Sequence, residues 1–428
     1  MNAAADRSTA TLRSPVAYFL LLVFLVSAFN QADRLLIGIV SQPIKDEFEL
    51  SDTLIGLLGG TAFALIYPPL GLPIARYTDR ANRRNVLAAC LGFWSLMTAA
   101  CGFTVGYWQL FAARFGVAAG EAGFVPPTHS LMTDYVSARR RAAGFSIIAV
   151  GAAVGTFLAN GIGGAITMQY GWRMAFIALG LPGALIALLV AFTLREPPRI
   201  GASTRAADTA WPTIKRLLAN RVYLLCVLAS ALHLMLLYGM TVWTAPYFIR
   251  TFGLSVAKAG LILGTLGALA GVLGGVTGGF VADRLAQRDK SWLAFWPALS
   301  VAVATPFCLV GFLDGYLGGP LIVAIVCLMI AVACNAMYQS ATYTLVQTLV
   351  NAQERATAAA LMVLIQSLIG LGLGPLLIGV LSDRLTTAHG VSGLGLALAI
   401  ASLLNIVSAL LFARSGLAMK RAAVVLTA

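Results

Sequence analysis

The sequence predicts an all-α integral membrane protein of twelve transmembrane helices, arranged as two pseudo-symmetric six-helix bundles. Three observations carry that reading. First, hydrophobic residues make up 59% of the 428-residue chain and charged residues 11%, with a mean hydropathy of +0.87. A soluble domain averages about 45–50% and about 25% on those two counts, so this composition cannot cover a water-facing surface. Second, apolar runs of roughly 20 residues or more recur along the chain, each long enough to cross a ~30 Å hydrocarbon core as a helix. They do not alternate as barrel strands would, and helices satisfy their own backbone in lipid. Third, a pattern returns at a fixed spacing. Phe48-Glu49-Leu50-Ser51, Gly56 and Asp79-Arg80 recur as Phe252-Gly253-Leu254-Ser255, Gly260 and Asp283-Arg284, every pair 204 positions apart. A gapless offset over several helical turns makes the second and eighth helices equivalent elements of two parallel halves.

The expected spans are 16–40 for helix 1, 53–76 for helix 2, 85–104 for helix 3 and 107–133 for helix 4. Helix 5 is placed at 142–168 and helix 6 at 172–194. Helices 7 to 9 follow at 221–248, 256–281 and 291–312, and helices 10 to 12 at 318–347, 356–381 and 391–413. The longest non-apolar segment, 195–220, reads as a cytoplasmic linker with a short surface helix around Trp211 to Leu218. It divides an N-terminal bundle, 1–194, from a C-terminal bundle, 221–428. The first apolar run is too long for a signal-peptide core and carries Asp33-Arg34, so it reads as a retained helix.

The net charge of +13 does not point to nucleic acid, because the basic residues sit in short loops between apolar runs. One set of loops carries Arg80, Arg83, Arg84, Arg139, Arg140, Arg141, Arg195, Arg199, Arg205, Lys215, Arg216, Arg284, Arg288 and Lys290, and the tails add Arg7, Arg13, Lys420 and Arg421. The opposite loops hold only Lys45, Arg173, Arg250, Lys258 and Arg384. The asymmetry predicts a multi-pass protein of the cell (inner) membrane with both termini cytoplasmic. All six cysteines fall within apolar runs, which argues against disulfides and zinc sites. No cofactor is expected, and a monomer is.

Charged residues inside apolar runs are the first functional signal, since ionisable groups at membrane depth are costly and face a bundle interior or a water cavity. Helix 1 carries Asn30-Gln31-Ala32-Asp33-Arg34. Neighbours on a helix point about 100° apart, so Asp33 and Arg34 are not expected to neutralise only each other. Helix 4 supplies Arg114 and Glu121, seven residues apart and nearly on one face. Counting from the helix ends puts Arg34 and Arg114 at similar depth and Glu121 ~10 Å deeper. Burial favours a neutral carboxyl and a neighbouring guanidinium favours the charged one. A moving arginine would therefore couple protonation to conformation, and Asp33, Arg34, Arg114 and Glu121 are the candidate proton-coupling residues. A static salt-bridge network is the plainer alternative. Asp52, with Ser51, reads first as a helix cap and second as a participant in proton traffic.

The loops after helices 2 and 8 are the second signal. They read Ala75-Arg76-Tyr77-Thr78-Asp79-Arg80-Ala81-Asn82-Arg83-Arg84 and Gly279-Phe280-Val281-Ala282-Asp283-Arg284-Leu285-Ala286-Gln287-Arg288. An arginine-rich loop explains itself by topology; an aspartate at the same place twice does not. An acid at a helix end can bind another helix N-terminus and nearby arginines, so Asp79, Arg80, Arg83, Arg84, Asp283, Arg284 and Arg288 are candidate gating residues. Prolines 68, 69, 73, 126 and 127 are expected to kink helices 2 and 4, and the glycines of helices 5 and 8 to allow close packing.

The two loops resemble the G-x-x-x-D-R-x-G-R-R signature of the major facilitator superfamily, with departures at Ala75 and Asn82 and at the later glycine of the second copy. Within that superfamily the chain resembles the spinster family in its bacterial form. Phe29-Asn30-Gln31-Ala32-Asp33-Arg34, Leu50 to Leu58, Ala113 to Ser130 with Glu121 and Pro126-Pro127, and Gly171-Trp172-Arg173 to Phe176 with Arg195-Glu196-Pro197 carry the resemblance. The helix 4 stretch is the most specific, since organic-anion symporters share an N-x-x-D-R. The resemblance implies proton-linked transport by alternating access of a lysolipid- or sphingolipid-like solute, through a midplane cavity lined by helices 1, 4, 7 and 10. Phe29, Asn30, His129, His233, Tyr238, Trp243, Asn335 and Tyr338 are the candidate lining residues, with Arg34 and Arg114 suited to an anionic head. Protons, an amphipathic solute and membrane lipids are the expected partners. A small organic-anion symporter, a multidrug exporter, a channel and a receptor are the rivals; no metal cluster, nucleophile triad or phosphate loop suggests an enzyme.

Overall fold

The structure, a computed structural model, describes residues 13–198, 210–351, 354–389 and 393–427, which leaves the expectations on Arg7, Arg199 and Arg205 outside it. Among the described residues there is no strand, and 11 helices are long and apolar enough to cross a membrane. The remaining crossing is helix 4, which is broken rather than kinked. It runs as Tyr107–Glu121 and Val125–Tyr135. Pro126 and Pro127 offer no N–H to the carbonyls of Ala122 and Gly123, and their rings crowd those carbonyls, so the ladder stops there. Glu121 is thereby the last residue of its helical segment.

Helix 1, Arg13–Phe48, is longer than its apolar run and passes through Pro43. Helix 2 covers Asp52–Thr78, with Pro68, Pro69 and Pro73 inside it. Ser51 caps it, its side chain accepting from Leu54 N at 3.2 Å. Helix 3 is Arg83–Cys101, capped by Asn82, and helix 6 is Trp172–Thr193. Helix 7 is Arg221–Phe252, helix 9 Trp292–Tyr316 and helix 10 Leu321–Thr348. Helix 12 covers Gly393–Ser402 and Leu404–Thr427. Helices 2, 5, 8 and 11 each contain one widened π-turn, at Leu57–Thr61, Leu158–Ile162, Leu263–Gly267 and Ser367–Leu371. Within 195–220, a helix over Ala210–Ala219 buries Thr213 and Leu217 and exposes Trp211, Lys215 and Arg216. Arg216 pairs with Glu354 and holds its carboxyl below the usual carboxylate range.

The chain divides into two compact units. The unit that holds the N-terminal helices also takes 256–264, the start of helix 8; the unit that holds the C-terminal helices also takes 45–64, the start of helix 2. The repeated glycines show what this requires. In the first unit, a Cβ on Gly260 would lie 2.0 Å from the Asn160 carbonyl of helix 5. In the second, a Cβ on Gly56 would lie 2.5 Å from the Pro375 carbonyl of helix 11. Both positions bring two helix backbones into direct contact, which only glycine permits.

Candidate functional site

Helices 1, 3 and 4 build a buried charged cluster in the first unit. A Cβ on Gly120 would lie 2.7 Å from that of Trp94, so helix 4 presses against helix 3 just before Glu121. Glu121 is fully buried, and Arg34 Nε donates to its Oε2 at 2.5 Å. The Arg34 side chain keeps 26% of its surface exposed, and its guanidinium lies 4.6 Å from the Tyr67 ring. Arg114, 1% exposed, donates from Nη1 to the Asp33 backbone carbonyl at 3.0 Å, within Coulomb range of both Asp33 and Glu121. The Asp33 side chain is buried, facing the Trp94 indole and the Thr98 hydroxyl of helix 3. Neither of its oxygens makes a hydrogen bond of normal geometry among the described residues, and the same holds for Glu121 Oε1 and Asn30 Nδ2.

This arrangement divides the work between two carboxyls. Glu121 is tied to an arginine that reaches water; Asp33 is enclosed, and Arg114 beside it donates to the Asp33 backbone carbonyl while staying within Coulomb range of both carboxyls. The depth count placed Arg34 well above Glu121, but the long arginine side chain spans the gap. A buried carboxylate without full hydrogen bonding is costly, and that cost falls on both oxygens of Asp33 and on Glu121 Oε1.

Asp52 lies in the second unit, in a separate cluster. Arg250 Nη1 and Nη2 donate to its two oxygens at 2.7 and 2.8 Å, Lys45 Nζ donates at 2.5 Å and Ser382 Oγ at 2.6 Å. Asp383 accepts from Asp52 N and Thr53 N, both at 2.8 Å, so a carboxylate from helix 11 closes the N-terminus of helix 2. The helix N-terminus and the carboxylate attract each other. Lys45, Arg250, Ser382 and Asp383 join Asp52 only in three dimensions. Their sequence signal is that bare loops on that side carry so few charges.

The arginine-rich side is organised differently from a row of equivalent arginines. Arg83 is 2% exposed. It donates from Nε to Glu196 at 2.6 Å, from Nη2 to the Pro197 carbonyl at 2.9 Å and from Nη1 to Ser130 at 3.1 Å, and it pairs with Asp134. Arg84 donates its backbone N–H to Glu196 at 3.0 Å and its Nη1 to the Leu194 carbonyl at 3.2 Å. Asp79, Arg80, Asp283, Arg284 and Arg288 are exposed and form no ion pair among the described residues. Asp134 and Glu196 are functional candidates that sequence reasoning missed. An acid beside a positive loop was the available signal, as it was for Asp79.

The candidate lining residues fall into two groups. Phe29 and Tyr238 are half-buried, Asn30 is buried beside Glu121, and His129 is exposed with its ring 5.0 Å from Phe145. His233, Asn335 and Tyr338 are enclosed and spent on one another and on Asn405. His233 Nδ1 and Asn405 Oδ1 are 2.9 Å apart, Asn405 Nδ2 donates to Asn335 Oδ1 at 3.2 Å, and Tyr338 stacks edge-on to His233 at 4.4 Å. Trp243 is fully buried, its Nε1 donating to the Pro375 carbonyl at 2.9 Å.

The profile of the Major Facilitator Superfamily matches residues 22–375. An "MFS-type efflux pump" of Mycolicibacterium smegmatis is 30% identical over 376 residues, 87% of this chain and 86% of that one. A "Probable galactarate/D-glucarate transporter" of Bacillus subtilis is 26% identical over 280 residues, 58% of this chain and 61% of that one. A crystal structure of a bacterial homolog of the human lysosomal transporter spinster, inward-facing and unoccupied, superposes with a TM-score of 0.85 at 28% identity. That alignment covers 94% of this chain and 97% of the other.

Proposed function

The chain belongs to the major facilitator superfamily, in its spinster-like branch, and from that premise we propose that it is a proton-coupled secondary transporter of an amphipathic, lipid-like solute. The fold and family are those of membrane transporters rather than enzymes. The observation that carries the proton reading is the cluster around Glu121: a fully buried carboxylate held by Arg34, beside a second enclosed carboxyl, Asp33, whose oxygens make no hydrogen bond of normal geometry among the described residues. When a conformational change moves Arg34, the protonation of Glu121 changes with it. Asp33 and Arg114 set the field around that exchange. Asp52 belongs to the coupling only indirectly, as the anchor of helix 2 to Arg250.

The lipid-like solute is supported by likeness to the spinster homolog and by a cationic Arg34 packed on Tyr67, which suits an anionic or zwitterionic head on an apolar body. Phe29, Asn30 and His129 of the first unit and Tyr238 of the second are proposed to meet the solute; His233, Trp243, Asn335 and Tyr338 are proposed to stiffen helix 7 within the second unit. Asp79 with Arg80 and Asp283 with Arg284 and Arg288 are proposed to pair on the closing side during the cycle, with Arg83 and Arg84 holding the loop to its own bundle. The loop charges favour a cell-membrane protein with both termini cytoplasmic. The names of the relatives, an efflux pump and a galactarate/D-glucarate transporter, favour a second reading, efflux of a solute or transport of a small organic acid.

Reconstituted liposomes test this with a fluorescent lysophosphatidylethanolamine, galactarate and a cationic dye as probes, each under an imposed pH gradient. Gradient-driven accumulation of the lysolipid alone is expected. Glu121→Gln is expected to abolish accumulation while sparing counterflow exchange. Flux that ignores the gradient overturns proton coupling, and accumulation of galactarate or dye instead overturns the substrate class.

A further inference from the structure

Helices 9 and 12 leave an open groove on the apolar flank of the second unit. Its volume is about 550 Å³, and Trp292, Phe295, Ala298, Leu299, Ala302, Ile406, Ala409, Leu410 and Ala413 line it. Every one of these side chains is apolar or aromatic, and Leu299, Ile406 and Leu410 are 50%, 45% and 59% exposed. Small alanines alternating with larger side chains make the depression.

Its length along the membrane normal identifies an occupant. On helix 9 the lining runs from Trp292 to Ala302, ten residue steps and ~15 Å. That is one leaflet of a ~30 Å hydrocarbon core. The groove begins on the arginine-rich side, where Trp292 opens helix 9 after Arg288, Asp289, Lys290 and the N-cap Ser291. An indole at that position is an interfacial anchor.

Charge completes the match. Arg414 stands one turn beyond Leu410 and next to Ala413, is exposed, and has no ion pair or hydrogen bond among the described residues. An arginine on an apolar flank at this depth requires a counter-charge or a route to the headgroups. Lys420 lies two turns further on, its Nζ 5.3 Å from the Phe295 ring, with the exposed Arg421 beside it. Asp289 takes part of the Lys420 charge at 3.6 Å, which leaves Arg414 as the principal anion partner.

We propose that this groove holds an acyl chain of an anionic phospholipid from the cytoplasmic leaflet, its phosphate held by Arg414 with Lys420. The proposal rests on the orientation given above, not on the identity of the transported solute. The lipid is a resident of the outer face of the second unit, distinct from any cargo.

Native mass spectrometry of the detergent-purified protein, titrated with phosphatidylglycerol or phosphatidylethanolamine, tests it. Phosphatidylglycerol is expected to be retained preferentially. Arg414→Gln is expected to weaken that retention about fivefold, the effect of one basic residue on anionic lipid, and to weaken retention of phosphatidylethanolamine less, because its ammonium already offsets the phosphate. Ala409→Trp, which fills the groove, is expected to reduce both. Equal retention of the two lipids, or no effect of Arg414→Gln in protein that melts normally, overturns the anionic site. A dimer signal abolished by Ala409→Trp overturns it in favour of a second copy of the chain. Labelling of Lys290→Cys from outside intact cells overturns the leaflet assignment, and does so independently of any transport result.

Discussion

Arg83 sits among four acceptors from two parts of its own bundle: Ser130 and Asp134 near the end of helix 4, and Glu196 and the Pro197 carbonyl after helix 6. Removing a buried partner leaves its counter-ions uncompensated, at a cost of about 3 kcal/mol. Arg83→Ala is therefore expected to lower the thermal stability of the purified protein clearly, whereas Arg80→Ala, on an exposed residue, is expected to change it by less than about 0.5 kcal/mol. Equal melting of the two variants would remove the structural distinction drawn between them. The same contrast marks what was legible at this scale. Asp33, Arg34, Arg114 and Glu121 announce themselves because charge is expensive inside an apolar run. Their pairing does not follow from counting residues down two helices, because Arg34 reaches Glu121 along its side chain rather than by its depth. Asp134 and Glu196 look like ordinary loop acids until the fold places Arg83 between them.

At the scale of elements, the fixed repeat has a physical explanation in the two glycines it contains. Gly56 and Gly260 each meet a carbonyl oxygen of a neighbouring helix, at 2.5 and 2.0 Å from an added Cβ, whereas Gly71 in the same helix 2 would meet nothing within 4 Å. In a helix, alanine is intrinsically better than glycine by about 1 kcal/mol, but overpacking costs about 1–3 kcal/mol. The overpacking prevails where the neighbour is rigid backbone. Gly56→Ala and Gly260→Ala are expected to lower the melting temperature, and Gly71→Ala to raise or preserve it. A stabilised Gly260→Ala would show that helices 5 and 8 separate at little cost. The repeat was readable in the sequence because both copies face the same packing problem. The π-turns of helices 2, 5, 8 and 11 were not, since these spans are apolar on most faces and carry little periodicity for an inserted residue to shift. Such turns often mark functional positions. Among the described residues they occur in these four helices alone, which include both helices of the repeat, and this connects them with the exchanged segments rather than with the buried charges. Helix 4 was legible only as a kink; two successive prolines remove two ladder bonds and break it outright.

At the scale of the whole molecule, the exchanged segments define what must change if the protein works by alternating access. The start of helix 2 is bound into the unit of C-terminal helices through Asp52, which engages Arg250 and Ser382, and through Asp383, which closes the helix N-terminus. The start of helix 8 is bound into the unit of N-terminal helices through Gly260 and Gly264. Transport in which the two sequence halves rock apart on this side has to break both attachments in every cycle. One of them is ionic and directional and the other is close backbone packing, so they can be tested separately. Ser382 Oγ lies 2.6 Å from an Asp52 oxygen, so the double variant Asp52→Cys/Ser382→Cys is placed to form a disulfide under oxidation. Cross-linking is expected to reduce transport to background and reductant to restore it to the level of the reduced double variant. Asp52→Cys alone, treated identically, reports the cost of losing the ion pair, and Ser382→Cys alone that of losing its hydrogen bond. Solute binding is expected to survive the cross-link, because the charged cluster around Glu121 lies in the other unit and is untouched by it. Undiminished transport with the disulfide demonstrably formed would mean that helix 2 stays on helix 11 throughout the cycle, and that the moving boundary lies elsewhere.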